Sequence, residues 1–431
     1  MGYRVAVVGC GAQGRAITAI LDEDADFERI GMFDLKPSFC KAHSDWLSNK
    51  RGFAAVEYSR VDASDTESLV SNLKGYDVVI NAVLPRYNLN IMKTCLSLGT
   101  HYVDMAFGPP YDNLVAQLSM NADFLRKNLV ALTGAGKAPG LTNLLVAEAA
   151  DVLDSVSSVR IRLYGRVDSS EPVMTWSPAT LLEDCSTPPA VLENGRLRRE
   201  STFGREESYR FPCKGIGKRR VWLHEHEEVY MLTSSLVSKG LTHCDLKMGG
   251  IDEIKSIHDL GLLTDSPVTI HGSSYSRHDI LAAMLPSPPT ADELADRIRR
   301  GVIRASYGCS VVEVHGKKER ENVDITLWAK DPDILDVVRR YPVATDDSYV
   351  VSLSCVLFAK LVLEEGDTMS GVVLPERIPR ELRKKWFTWL RERTPTVELG
   401  GILKGGPGFV SDSIQIPLDY QVEKNLNSAQ T

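Results

Sequence analysis

Val5-Ala6-Val7-Val8-Gly9-Cys10-Gly11-Ala12-Gln13-Gly14-Arg15-Ala16-Ile17 runs from an apolar strand through a glycine-rich turn into the start of a helix. In a dinucleotide-binding βαβ unit, Gly9 permits the tight turn, Gly11 lets the backbone approach a pyrophosphate, and Gly14 lets the helix pack on the strand. Ala12 and Gln13 then open the helix, whose N-terminus offers free N–H groups and partial positive charge to the anion. A glycine turn by itself also occurs where nothing binds. Here Arg29-Ile30-Gly31-Met32-Phe33 reads as the next strand, and Asp34 ends it twenty positions past Gly14, where an acid accepts the ribose hydroxyls of an adenosine. Asp34 repels a 2′-phosphate and so favours NAD, while Lys36 keeps NADP open.

At 431 residues the chain exceeds the size at which single cores stop growing, so two domains are expected. A net charge of −7, with the short basic runs Arg196–Arg199 and Lys218–Arg220 flanked by acids, argues against nucleic-acid binding. The eight cysteines are scattered without CxxC pairs or metal-ligand spacing, and Cys10 lies in the phosphate turn, which fits a reducing compartment. Met1-Gly2-Tyr3-Arg4 leads straight into the first strand, and no apolar run approaches the roughly 18 residues of a membrane span. The reading is a cytoplasmic protein, with no membrane partner.

The first third keeps the rhythm of a doubly wound parallel sheet. Asp77-Val78-Val79-Ile80-Asn81-Ala82 is apolar on both faces, Asn90 to Leu98 reads as a helix closed by Gly99, and His101–Asp104 and Leu129–Leu132 read as further strands. Ligands of such sheets bind outside the carboxyl ends of the strands. That rule adds Asp62, Asn81, Ala82, Leu84, Gly136 and Pro139 to the cofactor-binding candidates. Beyond the helix near Thr142 the pattern changes to short alternating strands, Val159–Tyr164, Val311–Val314 and Val323–Trp328, as in an inserted α+β domain. The expected division is a Rossmann domain over 1–144, an α+β substrate-binding and dimerisation domain over 145–344, a return segment on the Rossmann domain over 345–410, and a tail over 411–431.

Four stretches carry a family resemblance: the glycine turn, Asp77–Ala82, Gly134-Ala135-Gly136-Lys137-Ala138-Pro139-Gly140-Leu141-Thr142-Asn143, and Gly371-Val372-Val373-Leu374-Pro375-Glu376. The chain resembles the saccharopine dehydrogenase family, closest to its lysine 6-dehydrogenase and saccharopine reductase-like branch. The resemblance implies that the Gly-x-x-Pro-Gly segment leaves the last Rossmann strands beside the nicotinamide, that residues after about Thr345 return to the nucleotide domain, and that the enzyme is a homodimer paired through the inserted domain. It also implies an NAD(P)-dependent oxidoreductase acting on a C–N bond of an amino acid or amino-acid conjugate through an imine. An imine or opine reductase, such as one similar to carboxynorspermidine synthase, and an NAD(P)-binding scaffold without turnover are the alternatives.

Two residues stand out as catalytic candidates. Lys137, at a strand end, can bind a substrate carboxylate or shuttle a proton if burial lowers its pKa, or it can be a solvated turn lysine. Asp104 can hold a substrate ammonium, or serve as a turn or cap acid. Arg86, Tyr87 and Asn143 are the substrate-binding candidates; Arg86 reads equally as a surface arginine, and Thr142 or Asn143 can cap the following helix. In His224-Glu225-His226-Glu227-Glu228, strand alternation would place His224, His226 and Glu228 on one face, but the pattern specifies no coordination geometry, and no metal is expected.

Overall fold

The computed structural model describes residues 2–51, 56–108, 112–264, 266–406, 416 and 418–424. They form two compact units, each built from two stretches of chain: Met1–Leu144 with Val343–Thr394, and Leu145–Pro342 with Pro395–Thr431.

The first unit holds a seven-stranded parallel sheet. Its strands in chain order are β1 (Tyr3–Val8), β2 (Phe27–Asp34), β3 (Val56–Arg60), β4 (Val78–Asn81), β5 (His101–Asp104) and β6 (Val130–Leu132), and the strand Gly371–Val373 completes it. The spatial order is β3-β2-β1-β4-β5-β6 followed by Gly371–Val373, the doubly wound arrangement with one strand added. Helices α1 (Ala12–Leu21), α2 (Pro37–Arg51), α3 (Thr66–Leu73) and α4 (Asn88–Leu98) connect the first five strands. β4 is buried along its length, as a strand with helices on both faces must be. Helix Asp346–Glu365 belongs here too: Thr345 and Ser348 form a capping box, and the core side chains Tyr349, Leu353, Val356, Leu357, Phe358 and Leu361 are buried.

The second unit holds a ten-stranded sheet in which the strands are far longer than the apolar alternation predicts. Ser155–Ser169 pairs antiparallel with Ile303–Lys318, which pairs antiparallel with Glu321–Lys330. Strand His243–Gly249 runs parallel to Ser155–Ser169 on the other side.

Two expectations need correction. The return segment on the first unit ends at Thr394, not at 410, because Glu398–Gly405 pairs antiparallel with Glu321–Lys330 in the second sheet. Gly400 makes that pairing feasible: a Cβ there would lie 2.5 Å from the Trp328 indole. Most of the expected tail over 411–431 lies outside the described residues. The cysteines are not all reduced, since Cys213 and Cys309 form a disulfide within the second unit; Cys10, Cys40, Cys95, Cys185, Cys244 and Cys355 are free and buried. Among the described residues no helix is long and apolar enough to cross a membrane.

Candidate active site

β1 delivers Gly9 into a turn with φ +107, where a Cβ would stand 2.6 Å from the Ala82 carbonyl oxygen. Gly14 is needed for space, since its Cβ would fall 1.8 Å from the Gly9 carbonyl oxygen and push α1 off the strand. Gly11, at the N-cap of α1, differs from both: nothing lies within 4 Å of where its Cβ would project. That is open ground beside a helix N-terminus, the cradle a pyrophosphate requires. Ala12 and Gln13 form the first turn of α1, and Ser352 holds Gln13 by donating to its Oε1 (2.7 Å) and its backbone oxygen (3.2 Å). Asp34 ends β2, its Oδ2 accepting from Cys10 N–H and its Oδ1 from Lys36 N–H, each at 2.8 Å. The acid expected to meet a ribose thus also ties the glycine turn to the neighbouring strand.

The other strand ends divide into two kinds. Asp62, just past β3, accepts from the backbone N–H and hydroxyl of Ser64 at 3.0 and 2.6 Å, and that hydroxyl holds its carboxyl below the usual range. Ala82 closes against Gly9, Leu84 is exposed, and exposed Arg86 stacks 4.9 Å over the Tyr87 ring. Asn81 is buried: its Nδ2 donates to Asn88 and Tyr102, and its Oδ1 accepts from Val83 N–H. The Asn81 side chain is therefore tied into the fold.

Asp104 is held in the same way. It is 1% exposed, and its carboxylate accepts from Thr133 (2.9 Å), Gly134 N–H (2.8 Å), Gln117 (2.7 Å), Tyr102 (2.9 Å) and Asn88 (3.2 Å). Burial pushes the carboxyl up to about 6 while these donors pull against it. Five donors from β4–β6 and their flanking helices leave Asp104 as the knot of the carboxyl edge, not a group facing substrate.

The Gly134–Asn143 segment turns sharply back on itself. Gly136 N–H donates to the Pro139 oxygen, Leu141 N–H donates to the Gly136 oxygen, and Gly140, at φ +127, passes so close that a Cβ would meet that oxygen at 2.0 Å. The Ala138–Pro139 peptide is cis. The turn holds Lys137 at 8% exposure, with its Nζ 3.2 Å from Asp347 Oδ1. Asn143, expected to touch substrate, is wholly buried: Oδ1 accepts from Gly140 N–H at 3.0 Å and Nδ2 donates to Glu376 at 2.9 Å. It holds the turn in shape instead.

Asp347, Ser352 and Glu376 are the residues that reading the sequence missed. All three come from the return segment, more than two hundred positions beyond the turns they brace. The signal for Glu376 was present in Gly371–Glu376, but no local pattern says which side chain it meets.

In the second unit, strand Lys218–Leu223 stops before His224, and Glu228 opens helix Glu228–Leu236, so the expected strand alternation through 224–228 does not occur. Glu225 accepts from Ala190 N–H, Arg199 and Tyr230. His226 sits beside Glu228; burial opposes its charge, but the Glu228 carboxylate outweighs that and pushes it up to about 10.

A doubly wound sheet with an open glycine cradle at α1 and an acid at the end of β2 defines a dinucleotide-binding domain, and a paired lysine stands just past the carboxyl end of its β6 strand. The saccharopine dehydrogenase NADP-binding domain matches residues 5–144, and the saccharopine dehydrogenase C-terminal domain matches residues 136–394. The chain belongs to the saccharopine dehydrogenase family. It is 26% identical over 250 residues to carboxynorspermidine synthase of Vibrio alginolyticus, a match covering 54% of this chain and 59% of that protein, so under two thirds of the relative's length is spanned. Carboxyaminopropylagmatine dehydrogenase of Synechocystis is 24% identical over 301 residues, covering 67% of this chain and 74% of that protein. Among solved structures, apo saccharopine dehydrogenase (L-Glu forming) from Saccharomyces cerevisiae superposes with a TM-score of 0.66 at 15% identity, covering 93% of this chain and 100% of that one. Homospermidine synthase from Legionella pneumophila, in complex with NAD, gives 0.64 at 15% identity, covering 93% and 91%.

Proposed function

We propose that this enzyme transfers a hydride at a C–N bond of an amino acid or amino-acid conjugate, through an imine, and that it works in the reductive direction. In that direction a carbonyl and an amine condense with loss of water, and the imine carbon takes a hydride while its nitrogen takes a proton. A bound nicotinamide supplies the hydride; the protein supplies alignment and charge. The observation that carries the reading is the Lys137–Asp347 pair, a cation held with little exposure on the Gly-x-x-Pro-Gly turn at the sheet's carboxyl edge. Asp347 fixes Lys137 for a substrate carboxylate or for proton transfer to nitrogen. Asn143 and Glu376 support the reading indirectly, by holding the turn that presents Lys137. The name of the Vibrio relative, a synthase, supports the bond-forming, reductive direction.

The direct test compares steady-state rates with NAD(P)H plus an aldehyde and a diamine against rates with NAD(P)+ plus lysine or saccharopine. Turnover only in the oxidative assay reverses the direction, and tight cofactor binding with no turnover in either leaves a scaffold. Lys137→Met keeps the volume and is expected to lower kcat/KM by about 10², roughly 2.7 kcal/mol of transition-state stabilisation, with NAD(P) affinity unchanged. A variant within about threefold of wild type removes Lys137 from the chemistry. We also infer a homodimer formed through the second unit, supported by half-buried Thr326, Trp328 and Ile402 on adjacent positions of one sheet face. Sedimentation at monomer mass across micromolar concentrations contradicts it.

A further inference from the structure

The loop from strand Lys218–Leu223 to helix Glu228–Leu236 collects donor atoms that the hydride-transfer reading does not use. His226 Nδ1 lies 2.5 Å from Glu228 Oε2 and 3.3 Å from Glu227 Oε2, and one donor atom of each of these residues lies within 4.8 Å of the others. Glu228 is fully buried. Independently, His224 is 3% exposed and its Nε2 is buried without a hydrogen-bond partner, with its ring centre 6.0 Å from that of His226. A buried imidazole nitrogen with nothing bound to it is costly unless a ligand completes it. Glu225 stands apart, since Ala190 N–H, Arg199 and Tyr230 already satisfy it.

We propose that His226, Glu227 and Glu228 bind a divalent first-row transition-metal ion, toward which the neighbouring His224 imidazole turns on binding. Mixed imidazole and carboxylate donors suit zinc, iron or manganese, and an ion held at about 2.0–2.2 Å replaces the proton that His226 and Glu228 share at 2.5 Å, the two donor atoms moving apart to take it. An alkylammonium needs an open path for its carbon chain, which the burial of His224 Nε2 and Glu228 does not offer. The ion pins the strand-to-helix loop of the second unit and takes no part in hydride transfer.

The probe is Co2+, added to the full-length chain after chelator treatment and followed by its visible absorption band. One Co2+ per chain is expected, displaced by Zn2+. His226→Ala and Glu227→Gln, each with wild-type circular dichroism, are expected to weaken Co2+ binding at least tenfold, whereas His271→Asn leaves it unchanged. Substoichiometric binding, or a band that survives His226→Ala, overturns the site. So does calorimetric binding of 1,3-diaminopropane, lost in His226→Ala, by a chain that gives no Co2+ band. Because the readout is metal binding and not turnover, a chain that binds Co2+ but reduces no imine retains this site while losing the proposed activity.

Discussion

The two units place their polar side chains by different rules. In the first, every strand of the parallel sheet ends at one edge, so Asp34, Asn81, Asp104 and the Gly134–Asn143 turn converge simply by standing last on their strands. In the second, charges sit mid-strand and meet across a sheet face. Buried Arg162 donates to Asp245 at 2.8 Å and to Glu207 at 3.0 Å; Lys247 reaches the same Glu207 at 2.9 Å; Arg160 spans Glu207 and Glu313, both at 2.7 Å. A strand end can be counted along a sequence, whereas a cross-strand partner requires the register. Position therefore reveals the first unit's chemistry, and only coordinates reveal the second's.

The sharpest way to break this contrast is at the glycines. Gly14→Val drives a side chain into the Gly9 carbonyl and is expected to cost more than about 4 kcal/mol, abolishing the cooperative unfolding of the first unit. Gly11→Val, whose Cβ meets nothing, is expected to fold normally yet lose at least about 10² in NAD(P) affinity by calorimetry. Equal loss of fold in both would show that the turn is packing alone.

In the second unit, Arg162→Met leaves Asp245 and Glu207 with less compensation in a buried setting. The expected loss is about 3–5 kcal/mol in urea denaturation. A loss below about 1 kcal/mol would mean the charge network is dispensable.

Asp104 gives a smaller, pH-dependent effect. Its carboxyl titrates at about 6 when folded against 3.8 for a solvated aspartate, so between these values the folded chain binds more protons than the unfolded one. The stability it contributes is present at low pH and is lost as pH rises through about 6. Against Asp104→Asn, the wild type should lose about 2 kcal/mol of relative stability between pH 4 and pH 7. A constant difference across that range would refute the buried, raised carboxyl.

Much of the first unit was legible because burial on both faces writes itself as unbroken apolar runs. Helix Asn88–Leu98 ends as expected at Gly99, with φ +73. The return helix starts at Asp346, because the Thr345 capping box sets the start. In the second sheet the apolar alternation marks only the middles of the ribbons: Val159–Tyr164 lies inside Ser155–Ser169, and Val311–Val314 inside Ile303–Lys318. The site was half legible. Pattern points to its glycines and to Lys137 as candidates, while Asn81, Asp104 and Asn143 are residue types whose use as ligand or as scaffold depends on how many internal donors and acceptors reach them.

The strand Gly371–Val373 and helix Asp346–Glu365 have a consequence for how the protein is made. Neither unit is a continuous stretch of chain, so a ribosome that has released residues 1–144 has delivered a sheet missing an edge strand and its longest helix. At about 5–20 residues per second, the rest arrives roughly 10–45 s later, long after a hairpin or helix would form. During that interval the open flank of Val130–Leu132 is a free hydrogen-bonding edge. Nascent chains arrested shortly after residue 144 should therefore be protease-sensitive and recruit chaperones, and protection should appear only once the return strand has cleared the exit tunnel.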